Sequence, residues 1–104
     1  VTGFRSPFSP AFNRSDAKRL AAVMKVVAQP QRLRIIAMLA ADGPLTGAEL
    51  IAALGDIAQP TMAHHLNALT TAGLIHGRKE STAIRRTLDV DALANLAGLL
   101  AGGR

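Results

Sequence analysis

Apolar residues recur along this chain in two rhythms, and the change from one to the other separates helices from a hairpin. Over residues 15 to 28, Leu20, Val23, Met24 and Val27 fall at the three- and four-residue spacing of one helical face, with Lys18, Arg19 and Lys25 on the other. Ser15 offers a capping oxygen to the free amides at the start, and Asp16 stands in the first turn. Pro30 suits a first helical position, where no amide hydrogen is needed. Residues 31 to 41 then repeat apolar side chains at Leu33, Ile36, Ala37 and Ala40, with Ile35 and Leu39 widening the face, until Asp42-Gly43-Pro44 stops the helix.

Thr46 followed by Glu49 is a capping-box pattern: the hydroxyl accepts from the third helical amide while the carboxylate reaches back to the cap. A short third helix over 46 to 54 ends at Gly55, and Gln59-Pro60 opens a fourth that runs to about Ala72 and closes at Gly73. Two short helices joined by a tight turn containing glycine form a helix-turn-helix. Beyond Gly73, residues 74 to 79 and 82 to 88 are richer in β-branched and long side chains and flank Glu80-Ser81, which predicts a two-stranded hairpin. Asp89 or Asp91 then caps a last helix with a stripe of Leu93, Leu96, Ala97 and Leu100. The predicted order is α-α-α-α-β-β-α, mainly helical with a small β-hairpin, over residues 15 to 101. Residues 1 to 14 form a tail whose Phe4, Phe8 and Phe12 stand among Pro7 and Pro10; it either docks on the body or a second subunit, or stays flexible.

Composition narrows the function. At 104 residues one core is expected, too small to house a large catalytic cleft. Twelve Lys and Arg against seven Asp and Glu give a net charge of +5, which favours a polyanionic partner. The absence of cysteine excludes disulfides, thiolate metal sites and a cysteine nucleophile. Neither a membrane-spanning apolar run nor a secretory signal pattern is present, so a cytoplasmic location is expected.

The second helix of a helix-turn-helix reads DNA by seating one apolar face and turning donors and acceptors toward the major groove. At about 100° per residue, Met62, Leu66 and Leu69 share a narrow arc, while Thr61, His64, Asn67, Ala68 and Thr71 point away from it. His64 is the outward histidine and a base-contact candidate. His65 flanks the apolar arc as a partly buried residue and a weaker candidate. Both also read as ordinary surface or boundary histidines. Gln59 and Thr61 lie at the helix start, where free amides and the positive dipole end suit a phosphate. The hairpin carries Arg78, Lys79, Arg85 and Arg86, placed to contact phosphate or enter the minor groove unless they form a plain solvated loop. Arg32 and Arg34 either add phosphate contacts or pair with Asp42 or Glu49.

Three runs together resemble the ArsR/SmtB family of winged-helix repressors: Gln31-Arg32-Leu33-Arg34-Ile35-Ile36, then Gln59-Pro60-Thr61-Met62-Ala63-His64-His65-Leu66, then Leu69 with Ala72-Gly73-Leu74-Ile75. The resemblance covers roughly residues 17 to 100. It implies a homodimer built from the first and last helices, double-stranded operator DNA read by the fourth helix and a wing, and in many members release by a metal ion or other inducer. Departures from the pattern bear on the inducer. The cysteine motif of metal-sensing members is missing, and the positions of the family's ligands at the opening of the last helix hold Val90 and Ala92. Gly102, Gly103 and Arg104 stand where later ligands would lie. His76, Asp89 and Asp91 form an alternative set that could meet across a dimer and would suit nickel or zinc, although capping aspartates and a strand histidine explain the same residues. In the wing, Ser81 replaces a common turn glycine and Arg85-Arg86 a common aromatic pair.

An enzyme is not expected, because the three histidines and scattered carboxylates lack nucleophile-base spacing and no Gly-rich phosphate loop is present. The rival reading is a winged-helix protein-interaction module that never touches DNA. Four positive charges beside a polar helix face argue against it.

Overall fold

A computed structural model describes residues 11 to 100. The elements run α1 (Arg14–Val27), α2 (Pro30–Asp42), β1 (Leu45–Thr46), α3 (Gly47–Leu54), α4 (Gln59–Thr71), β2 (Ile75–Glu80), β3 (Ala83–Leu88) and α5 (Val90–Leu100). Antiparallel strands in the order β1-β3-β2 make a small sheet, with Ile75 opposite Leu88 at the base of the hairpin and Glu80 opposite Ala83 at its tip. The two-residue strand β1, which pairs Leu45 with Arg86 and Thr46 with Arg85, is too short to leave a periodic signal in the sequence. It joins the head of α3 to the hairpin.

One core holds these elements together. Ile35, Leu50, Met62, Leu69, Leu74 and Ile75 are its fully buried large side chains, drawn from α2, α3, α4 and the entry to β2. Leu20 and Val23 of α1 and Ala92, Leu96 and Leu99 of α5 extend the same cluster, and Phe12 packs against its margin. The other two phenylalanines of the tail, Phe4 and Phe8, lie outside the described residues.

Helix termini follow local chemistry. The box expected at Thr46 and Glu49 is formed: the Glu49 amide donates to Thr46 Oγ1 at 3.1 Å and the Thr46 amide to Glu49 Oε1 at 2.8 Å. Gly55 closes α3 with φ of 78°, a left-handed backbone that costs a glycine little. At α1 the cap is Asn13 rather than Ser15. Its side chain accepts from the Asp16 amide at 2.9 Å while Asp16 accepts from the Asn13 amide at 3.2 Å, so the helix starts at Arg14 and Asp16 completes a second box. Of the two aspartates before α5, Asp89 is the cap, accepting from the Ala92 amide at 2.9 Å.

Two helical faces differ in part from the sequence reading. On α2 the core side is Ile35, Ile36 and Leu39, whereas Leu33 is 53% exposed and Ala37 and Ala40 are exposed. Both arcs of this alanine-rich helix are apolar, so spacing could not choose between them. Burial goes to the arc with more branched surface to remove from water. On α5 the expected Leu96 is buried with Ala92 and Leu99 and the expected Leu93 packs against the core, whereas Ala97 is exposed; the Leu100 side chain lies outside the described ones. On α1 Leu20 and Val23 are buried as expected, but Met24 is 38% exposed.

The rotated α2 face makes a direct test. Ile35→Ala should cost about 2–5 kcal/mol of unfolding free energy in urea titration, and Leu33→Ala no more than about 0.5 kcal/mol. Comparable losses would contradict this orientation of the helix.

Candidate nucleic-acid interface

The helix α4 separates its faces cleanly. Met62, Leu66 and Leu69 retain 1%, 3% and 0% of their surface, so one side is sealed in the core. Gln59, Thr61, His64 and Asn67 are all exposed on the remaining surface. Ala58, the capping residue, supplies no side-chain acceptor, which leaves the first amides of α4 without a side-chain partner at the positive end of the helix dipole. An uncapped helix start flanked by exposed donors and acceptors is suited to phosphate and base edges together.

His65 departs from the expected set. It is only 6% exposed, and its Nδ1 accepts from Arg32 Nε at 3.1 Å. An accepting Nδ1 places the ring proton on Nε2, so the imidazole is neutral. Burial, and then the charges of Arg32 and His64, hold its pKa below the ordinary value of 6.5. Arg32, itself buried, also donates to the Val26 carbonyl at 3.1 Å. One guanidinium therefore ties the end of α1 and the start of α2 to the inner side of α4. Neither His65 nor Arg32 faces outward. The His64 ring lies 5.9 Å from that of His65, tilted by 50°.

In the hairpin, alternation along the strands puts Ile75, Gly77, Lys79, Ile84, Arg86 and Leu88 on the core-side face. His76, Arg78, Glu80, Ala83, Arg85 and Thr87 occupy the other. Arg78 and Lys79, near the tip, are exposed, in contrast to the bonded guanidinium groups of β3. Arg85 and Arg86, on the central strand β3, are engaged. Arg85 Nε donates to Glu80 Oε2 at 2.9 Å, and its terminal nitrogen NH1 donates to Glu49 Oε1 at 3.0 Å and to the Pro44 carbonyl at 3.2 Å. The bonds with Glu80 raise the Arg85 pKa, and Arg85 in turn holds Glu80 below the ordinary carboxylate range. Arg86 NH1 donates to Thr70 Oγ1 at 3.3 Å. The phosphate role expected of Arg85 and Arg86 thus meets guanidinium groups already bonded within the chain. Arg34 is likewise occupied, by Gln31 at 2.6 Å and by both Asp56 oxygens at 2.9 Å, and not by Asp42 or Glu49. The partners Thr70 and Asp56 carry no sequence signal, because an isolated threonine or loop aspartate becomes an acceptor only through tertiary placement.

Ser81 turns the tip with φ of 59°, the left-handed geometry for which glycine is the easier residue. Between the head of α3, the outer flank of α4 and the tip runs a groove of about 580 Å³ lined by Ala48, Gln59, Ala63, Leu66, Ile84 and Arg86.

Within one chain the alternative metal set of His76, Asp89 and Asp91 is not gathered into one cluster. His76 Nε2 lies 2.6 Å from Asp89 Oδ2 of the same chain, while Asp89 also caps α5 through its other oxygen. The Ala92 amide, followed by the His76 bond, holds the Asp89 carboxyl below its ordinary range. Asp91 is exposed on α5, and among the described residues no three His, Cys, Asp or Glu side chains gather where an ion could sit.

A three-helix unit of α2, α3 and α4 followed by a β-hairpin is a winged helix, and the exposed second helix of its helix-turn-helix is the DNA-reading element of that class. A family model for a helix-turn-helix domain matches residues 27–78. The chain is 38% identical over 65 residues to an HTH-type transcriptional regulator of Methanocaldococcus jannaschii, an alignment covering 62% of this chain and 72% of that protein. It is 38% identical over 80 residues to the biofilm growth-associated repressor of Agrobacterium fabrum, covering 77% of this chain and 67% of the repressor. An ArsR-like transcriptional regulator from Rhodococcus sp. RHA1 superposes with a TM-score of 0.73 at 25% identity, over 86% of this chain and 80% of that one. The chain belongs to the ArsR/SmtB family of winged helix-turn-helix regulators. It is a DNA-binding transcriptional regulator and not an enzyme. No helix among the described residues is long and apolar enough to cross a membrane.

The burial of His65, with the charge of Arg32 beside it, gives stability a pH dependence of known sign. Because the folded-state pKa of His65 is depressed, the unfolded chain binds more protons below the ordinary value of 6.5, and stability falls as pH is lowered through that window. Thermal melts between about pH 7 and pH 5 should show a steeper loss for the wild type than for His65→Gln. Equal slopes would remove His65 as the source.

Proposed function

We propose that the protein is a homodimeric repressor that acts in the cytoplasm on double-stranded operator DNA, with α4 in the major groove and the hairpin tip on the backbone. The observation that carries this reading is the exposed row of Gln59, Thr61, His64 and Asn67 above the sealed Met62, Leu66 and Leu69. In this arrangement His64 and Asn67 contact base edges, Gln59 and Thr61 orient the helix start on a phosphate, and Arg78 and Lys79 contact phosphates beside it. His65, Arg85 and Arg86 have no place in the contact set because their polar atoms are turned inward or already bonded. The dimer uses α1 and α5, where Met24 and Val90 leave 38% and 66% of their surface uncovered. Twofold symmetry then presents two α4 helices to successive major grooves.

Selection from a random duplex library should recover a palindrome with half-sites about one helical turn apart. His64→Ala should weaken binding to that duplex by about 1–3 kcal/mol and leave binding to unrelated duplexes nearly unchanged. Arg78→Gln and Lys79→Gln should each weaken both, with the slope of log affinity against log salt falling by about one. Equal losses for His64→Ala on every duplex would remove its base-reading role. Sedimentation at micromolar concentration should find a dimer, and a monomer would contradict the two-half-site arrangement.

A further inference from the structure

The cationic cluster at 78, 79, 85 and 86 divides by its bonding into two kinds of residue. Arg78 and Lys79 end in solvent. Arg85 and Arg86, adjacent on β3 and pointing to opposite faces of the hairpin, each cross to a different helix of the helix-turn-helix. Arg85 reaches Glu49 in the first turn of α3, and Arg86 reaches Thr70 in the last turn of α4. We propose that Arg85 and Arg86 are positioning residues, a two-sided clamp that fixes the hairpin to the helix-turn-helix and so sets the distance and angle between its tip and α4. Sequence discrimination would then depend on both without either touching nucleic acid. The proposal rests on the reading that α4 and the hairpin tip meet DNA together.

Three observations support the clamp. The first is the seat made for Arg86. Gly77 is its direct partner across the ladder, and a Cβ built at Gly77 would stand 3.1 Å from Arg86 NH1 and 2.9 Å from Ile84 Cγ2. Glycine leaves room for the guanidinium to lie along the core-side face toward Thr70, and a Cβ there would make Ile84 and Arg86 shift. The second is that this seat is costly, since Arg86 Nε is buried without a hydrogen-bond partner. An apolar side chain would fill the place more cheaply, so what arginine adds is the directional bond to Thr70 Oγ1, itself fixed by donation to the Leu66 carbonyl at 2.8 Å. The third is the shared acceptor on the opposite face, where Glu49 Oε1 receives both the Thr46 amide and Arg85. That oxygen serves the cap of α3 and the hairpin at once.

The test separates positioning from direct contact and from mere folding. In the free protein, Arg86→Met should speed hydrogen exchange at the hairpin amides, and Thr70→Val should do the same. The double variant should be no faster than Arg86→Met alone, because both remove one bond. Thr70→Ser, which keeps the acceptor, should restore the wild-type rate. On a selected duplex, Arg86→Met, Thr70→Val and Gly77→Ala should each lower the ratio of specific to non-specific affinity about tenfold, roughly the worth of a hydrogen bond to a charged group. The salt slope of Thr70→Val and Gly77→Ala should match the wild type. Additive exchange effects in the free protein would overturn the clamp whether or not any duplex is selected. A salt slope reduced by about one in Arg86→Met, with a wild-type ratio in Thr70→Val, would overturn it in favour of phosphate contact. Equal loss on specific and unrelated duplexes, with unchanged ratio, would reduce both arginines to a role in stability and overturn it too. Failure to select any duplex, with coupled exchange intact, would instead count against the reading of α4.

Discussion

The removal of Met62, Leu66 and Leu69 from water decides the position of everything else in this protein. Those three side chains, together with Leu50 beneath them, fix the rotation of α4 about its own axis. A helix pinned by one apolar arc has no freedom to choose which polar residues it shows, so the outward row of Gln59, Thr61, His64 and Asn67 is a by-product of packing. Leu74 and Ile75 then carry the same core directly into β2, and the hairpin leaves the body in a direction set by the helix it follows. Function on the surface is inherited from the interior.

Much of this was legible in the residues, and the exceptions have physical causes. The capping box at Thr46 and Glu49, the stops at Gly55 and Gly73 and the apolar arc of α4 are short-range patterns, and all appear as read. Leu33, Ala37 and Ala40 of α2 and Ala97 of α5 lie outside the core, although Ile35, Ile36, Leu39, Leu93 and Leu96 pack as expected. The cause is that alanine and leucine distributed around a helix give two arcs of similar hydrophobicity, and only the shape of the neighbouring elements selects one. Asn13 displaced Ser15 as cap because both are capping types and the sequence could not tell which of them lies just outside the first turn. The strand β1 was absent from the reading, as a pair of residues has no period.

At the candidate interface the outward position of His64 was legible, and the fate of the other charged residues was not. Charge on a hairpin beside a recognition helix suggests phosphate contact for all four cations. The structure instead divides them by strand, with Arg78 and Lys79 on the edge strand β2 and Arg85 and Arg86 on the central strand β3, close enough to α3 and α4 to find acceptors there. The same holds for His65, whose neighbour in space is Arg32, thirty-three positions earlier in the chain. Long-range partners of this sort decide whether a cation is available to a ligand, and a helical wheel or a charge count does not contain them. The family comparisons supply the activity, and the bonding pattern supplies which side chains remain to carry it out.

The double use of Glu49 Oε1 bears on how such regulators can be recombined. A hairpin transplanted from a relative into this scaffold without arginines at 85 and 86 would leave the acceptors at 49 and 70 without the donors they meet here. Chimeras that exchange residues 75 to 88 alone would therefore carry a mismatched hinge, while exchanges that include both helix positions would move a complete mechanical unit.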